Sequence, residues 1–174
     1  MDQAKELLAK LDEATPSQRQ EVEAALVALG DAAIDDILES IHLINSKLNG
    51  SIRVKNLNPI AEMVALEKRI RILGQLKRPN TLKAVFDALA DAAIAVSDYK
   101  RQGAHDSLMI RMFAYEHQIA AESLLKTATD ALVEFGDVVI PPARRYLQQS
   151  PPPVTKALRR VLAKVDKRWW QVWR

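Results

Sequence analysis

Apolar side chains recur every three to four residues along almost the whole chain. Leu7, Leu8 and Leu11 form a first short stripe, and Val22, Ala25, Leu26 and Leu29 a second that stops at Gly30. Ile34, Ile37, Leu38, Ile41 and Leu48 follow, then Ile60, Met63, Val64, Ile70 and Leu73. Leu82, Val85, Phe86, Leu89, Ala93 and Val96 make the next stripe, up to Gly103. From Leu108 the pattern runs through Met109, Met112, Phe113, Ile119, Ala120, Leu124, Ala128, Leu132 and Phe135 to Gly136. After Pro151-Pro152-Pro153 a last stripe holds Leu158, Val161, Leu162, Val165 and Trp169. This spacing is that of amphipathic helices buried on one face. No segment alternates with period two long enough to predict a strand, and 49–59, with its Asn49-Gly50 pair, is expected to be a loop. Thr15-Pro16 and Asn58-Pro59 each supply a capping residue followed by proline at the first helical position.

Two segments repeat one another. "ALVALGDAAIDDIL" (25–38) and "ALVEFGDVVIPPAR" (131–144) share Ala, Leu, Val, Gly, Asp and Ile in register. A looser third copy, "LGQLKRPNTLKAVFDAL" (73–89), aligns either at Gly74, a spacing of 44, or at Lys77, a spacing of 47. Both lie in the range of roughly 40–47 residues expected of two-helix repeats. The glycine is expected to turn the chain with positive φ, and Asp31 and Asp137 to start the second helix.

These motifs resemble HEAT repeats, in particular the short kind described as phycobilisome-lyase HEAT-like. The resemblance implies an all-α, right-handed α-solenoid of about three HEAT-like helix pairs with capping helices at both ends. The units fall at about 16–48, 59–101 and 117–149 within a single domain, with a C-terminal capping helix at 154–174. A face of second helices would then form the contact ridge: Asp35, Asp36, Glu39 and His42 from the first, Lys83, Asp87 and Asp91 from the second, and Arg144, Arg145 and Gln148 from the third. The resemblance also implies one alternative role, an accessory subunit of a bilin lyase-type system.

Composition narrows the function classes. The 174 residues include no cysteine, which excludes disulfides, thiolate catalysis and cysteine zinc sites. The N-terminal stretch is charged and amphipathic, and no run has the length of a membrane span, so the expected location is the cytoplasm. Charge is polarised. Residues 1–46 hold three Lys/Arg against ten Asp/Glu, and 141–174 hold nine against one. Such a layout suits steering of a partner or head-to-tail association.

Chemistry-bearing groups are few. His42, His105 and His117 have no ligand spacing. Asp31, Asp35, Asp36 and Glu39 are expected to complement a helix dipole rather than hold a cation. No nucleophile–base pair or phosphate loop is present, and neither catalysis nor any cofactor or metal is expected. The chain is therefore expected to be a non-catalytic protein-binding scaffold. Lys68, Arg69, Arg71, Lys77 and Arg78, with Lys47, Arg53 and Lys55 before them and the basic groups at 144–174, raise nucleic-acid binding as the competing class. "KRWWQVWR" (167–174) holds all three tryptophans. Trp169 and Trp173 are expected to pack on Leu158 and Leu162 as a cap, and off-register Trp170 to face a partner. Membrane or partner contact through the three indoles is the other reading.

Overall fold

A computed structural model describes residues 3–53, 59–104 and 107–166, and among these every regular element is helical. The helices are α1 (Gln3–Glu13), α2 (Pro16–Ala28), α3 (Ile34–Arg53), α4 (Ile60–Leu76), α5 (Leu82–Gln102), α6 (Leu108–Glu134), α7 (Ile140–Gln149) and α8 (Pro152–Val165). Short 3-10 turns, Gly30–Ala33, Pro79–Thr81 and Gly136–Val139, join α2 to α3, α4 to α5 and α6 to α7.

α2 starts where its cap predicts, whereas α4 starts at Ile60 with Pro59 itself at the N-cap position, and Asn58 lies outside the described residues. Thr15 precedes Pro16, and its backbone N–H donates to Gln18 Oε1 at 3.2 Å, half of a capping box. α6 follows Ser107 in extended backbone and continues for 27 residues without a break. The expected turn at Asn49-Gly50 does not form; α3 runs on to Arg53. Asn and Gly are weak helix formers rather than breakers, each costing at most about 1 kcal/mol, so an established helix passes through them.

The repeated motif has one backbone solution. Gly30 (φ +58°) and Gly136 (φ +65°) both adopt the left-handed region right after a helix. Nothing lies within 4 Å of a Cβ built on either, so conformation rather than space demands glycine there. The flanking dihedrals of Leu29 and Phe135, and of Ile34 and Ile140, agree within a few degrees. In the middle copy the left-handed residue is Lys77 (φ +54°), the single described non-glycine with positive φ. The register with spacing 47 is therefore the structural one. Lys77→Gly is expected to raise stability by about 1 kcal/mol, because it removes left-handed strain. Its exposed ion pair with Glu134 (2.8 Å) contributes little against that gain. Chemical denaturation checks it; a loss on substitution would contradict the strain.

Packing follows chain order. α4 lies against α2 and α6, and α6 also against α8; α5 packs on α6 and α8, α3 on α4, and α1 on α2 and α3. One apolar cluster runs from Ala4 and Leu11 in α1 to Leu162 in α8. α8 buries Val154, Ala157, Leu158, Val161 and Leu162, as its register predicts. Gly74, one of the two candidate turn residues, is instead a buried helical position where α4 meets α6. A Cβ there would stand 2.7 Å from the Ala131 Cβ.

One stretch departs from its expected burial. Leu108, Met109, Met112, Phe113 and Ile119 continue the apolar pattern, yet all five are exposed. Their part of α6 buries Ala114, His117 and Ala121 instead.

Candidate functional site

The ridge residues sit on α3, α5 and α7. On α3, Asp35, Glu39 and His42 are exposed and Asp36 is half-buried. Asp35 and Asp36 occupy the first turn, where the helix dipole favours carboxylates. Lys5 of α1 bridges Asp36 (3.6 Å) and Glu39 (3.4 Å), and these charges hold its ammonium above the usual range. Asp31 leaves this group altogether to meet Arg78 Nε at 2.6 Å. Three of the four acids, Asp31, Asp36 and Glu39, thus meet a cation.

On α5 and α7 the ridge becomes one surface. Phe86 and Tyr146 stack with ring centroids 5.0 Å apart and planes 14° apart, Phe86 buried and Tyr146 partly open. Lys83 donates to Asp87 Oδ2 at 2.6 Å, and this bond and charge raise its pKa, with the nearby Tyr146 adding to the effect. Asp91 lies one turn beyond Asp87. Asp91 is exposed, yet partial desolvation of its carboxyl first, then the Asp87 charge, raises its pKa. On α7, Arg145 and Gln148 are exposed, while Arg144 donates to the buried Asp166 at 2.7 Å and so ties α7 to the end of α8. Tyr146 was not a sequence candidate; its stacking on Phe86 pairs residues 60 positions apart that no local spacing connects.

The raised Asp91 pKa has a signed consequence. Its stability contribution is complete below the unfolded value of 3.8 and is lost as the pH rises through the higher folded value. Asp91→Asn is therefore expected to match the parent near pH 3 and to exceed it in stability at neutral pH. Urea titrations of both proteins across pH 3–8 would reveal the divergence; parallel curves would refute it.

The basic residues at 68–78 do not form an open cationic face. Lys68 is buried and donates to the Leu11 (2.6 Å) and Asp12 (3.3 Å) carbonyls at the end of α1. Burial, then Arg19 nearby, lowers its pKa. Arg69 is buried and forks onto Asp12 at 2.7 and 2.8 Å. Arg71 meets Glu67 (2.7 Å) and Glu23 (3.3 Å), Lys77 meets Glu134, and Arg78 meets Asp31. Cations near a helix terminus in the sequence turn out to hold α1, α2 and α4 together.

His117 is buried, with Nδ1 2.7 Å from the Phe113 carbonyl and its ring 3.9 Å from that of Phe113. His42 is exposed. His105 and the tail with Trp169, Trp170 and Trp173 lie outside the described residues. Among the described residues, no helix is long and apolar enough to cross a membrane, and no group of three potential metal ligands converges. Comparison with family models, with curated proteins and with solved structures finds no match to this chain.

Proposed function

We propose that the chain is a HEAT-like solenoid of three helix pairs, at about 16–48, 59–101 and 117–149, acting as a non-catalytic protein-binding scaffold. The fold part of this reading is supported by three helix–3-10–helix junctions, each entered through a left-handed residue, and by the packing of α2, α4, α6 and α8 in succession.

The observation that carries the function is the α5–α7 surface. A partly exposed tyrosine rests on a buried phenylalanine, with Lys83, Asp87 and Asp91 on one side and Arg145 beside it in α7. Rigid aromatic anchors ringed by charge are the usual energetic centre of a protein interface. Asp91 is exposed beside Asp87, so a lysine or arginine from a partner can reach both carboxylates and gain a charge-assisted bond. The partner is accordingly a protein segment with a cationic side chain next to an apolar one.

The test is capture from a cell extract on the immobilised chain, read by mass spectrometry, beside the Asp91→Lys and Tyr146→Ala variants. A partner retained by the parent and lost by both variants, with their thermal melting near that of the parent, supports the ridge. Capture that survives both variants refutes it. Retention of nucleic acid that weakens steeply with added salt would support the competing class.

A further inference from the structure

The first half of α6 carries an apolar stripe with no partner in the described chain. Leu108, Met112, Tyr115 and Ile119 are 65%, 61%, 64% and 52% exposed. They follow one another at intervals of four, three and four, the a/d spacing of a coiled-coil seam. The opposite side of the same helix is buried through Ala114, His117 and Ala121. The stripe is bounded: the next seam positions are Glu122 and Lys126, which engage Lys100 and Asp130. Met109 and Phe113, also exposed, widen the apolar surface around the flank of the helix, and an exposed contiguous apolar patch marks an interaction site.

Charge selects the occupant. With Leu108 and Tyr115 at d positions and Met112 and Ile119 at a positions, Arg111 falls at g and Glu116 at the following e. In a parallel, in-register pair of helices, a g residue faces the e residue five positions on in the other strand. Both side chains are exposed, and neither has an ion-pair partner among the described residues. We propose that this face of α6 is the seam of a homodimer, two copies packing parallel about a two-fold axis with Arg111 of each against the partner's Glu116. The seam shares no residue with the α5–α7 ridge.

The absence of native cysteine makes the test clean. Full-length Met112→Cys and Ile119→Cys are each expected to form disulfide-linked dimers under mild oxidation, since a parallel seam sets each position opposite itself. An antiparallel pair would cross-link at neither position with itself, because a two-fold there pairs 112 with 115 and 108 with 119. In sedimentation, Arg111→Glu is expected to weaken dimerisation roughly tenfold or more, and Arg111→Glu with Glu116→Arg in one chain to restore it. Circular dichroism of each variant controls for folding. A strict monomer at all concentrations, cross-linking at neither cysteine, or failure of the charge swap to rescue would overturn the proposal. So would a monomer that floats with phosphatidylserine vesicles and loses that binding in Leu108→Ser, which would assign the stripe to a lipid surface.

Discussion

Asp12→Ala is expected to destabilise the protein by about 3 kcal/mol, more than replacement of its partner by Arg69→Met. The Arg69 guanidinium is buried between α1, α3 and α4. It forks onto both Asp12 oxygens, and it also donates to Ser40 Oγ (2.7 Å) and the Ala65 carbonyl (2.9 Å). Lys68 is buried beside it, and Arg19 is close enough to repel Lys68. Removing Asp12 leaves these cations short of their nearest carboxylate in a site that water reaches poorly. Removing Arg69 instead leaves Asp12 to rehydrate, because nearly half of its side chain already faces solvent. Methionine meanwhile fills much of the vacated volume. The asymmetry follows from burial: stranding a buried charge costs more than releasing an exposed one. Urea unfolding of the two variants decides it, and an equal or reversed order would contradict the burial argument.

Gly74→Ala is the second large expected loss, about 2 kcal/mol. Helix propensity alone argues the other way, since alanine gains about 1 kcal/mol over glycine inside a helix. The crossing of α4 and α6 decides the sign. The new methyl would stand 2.7 Å from the Ala131 Cβ and 2.8 Å from its Cα. The Cα belongs to the backbone, so the two helices must separate, and the packing of Leu73 and Leu132 next to the crossing loosens with them. Ala131→Gly in the same chain removes the Cβ contact but not the Cα one, so it should rescue Gly74→Ala only in part. Thermal melting gives the comparison; a stabilised single variant would mean that the helices are not in close approach.

Most of the helices were legible because burial on one face imposes a 3.6-residue period on apolar positions. The Gly30 and Gly136 turns were legible as well. A left-handed residue after a helix strongly favours glycine, so the residue type reports the dihedral. The middle turn was not. Lys77 adopts the glycine conformation without being glycine, while a true glycine three residues earlier serves a helix crossing. Local residue type points to the wrong one, and only the approach of α4 to α6 explains why. The candidate site divides in the same manner. Lys83, Asp87 and Asp91 share one helix and were found by spacing, but Tyr146 joins them through a stack on Phe86 from another helix.

The sequence by itself determined the all-helical character, most of the places where helices begin and end, and the glycine turns at Gly30 and Gly136, because these depend on interactions within a few residues. Only the tertiary structure decided which charges are surface and which are internal. Lys68 and Arg69 look like part of a basic patch until α1 is laid over them. Leu108, Met112 and Ile119 look like core until α6 is found to bury its other face. Periodicity states that a face is apolar; whether another helix covers it depends on packing between distant parts of the chain, which no local pattern records.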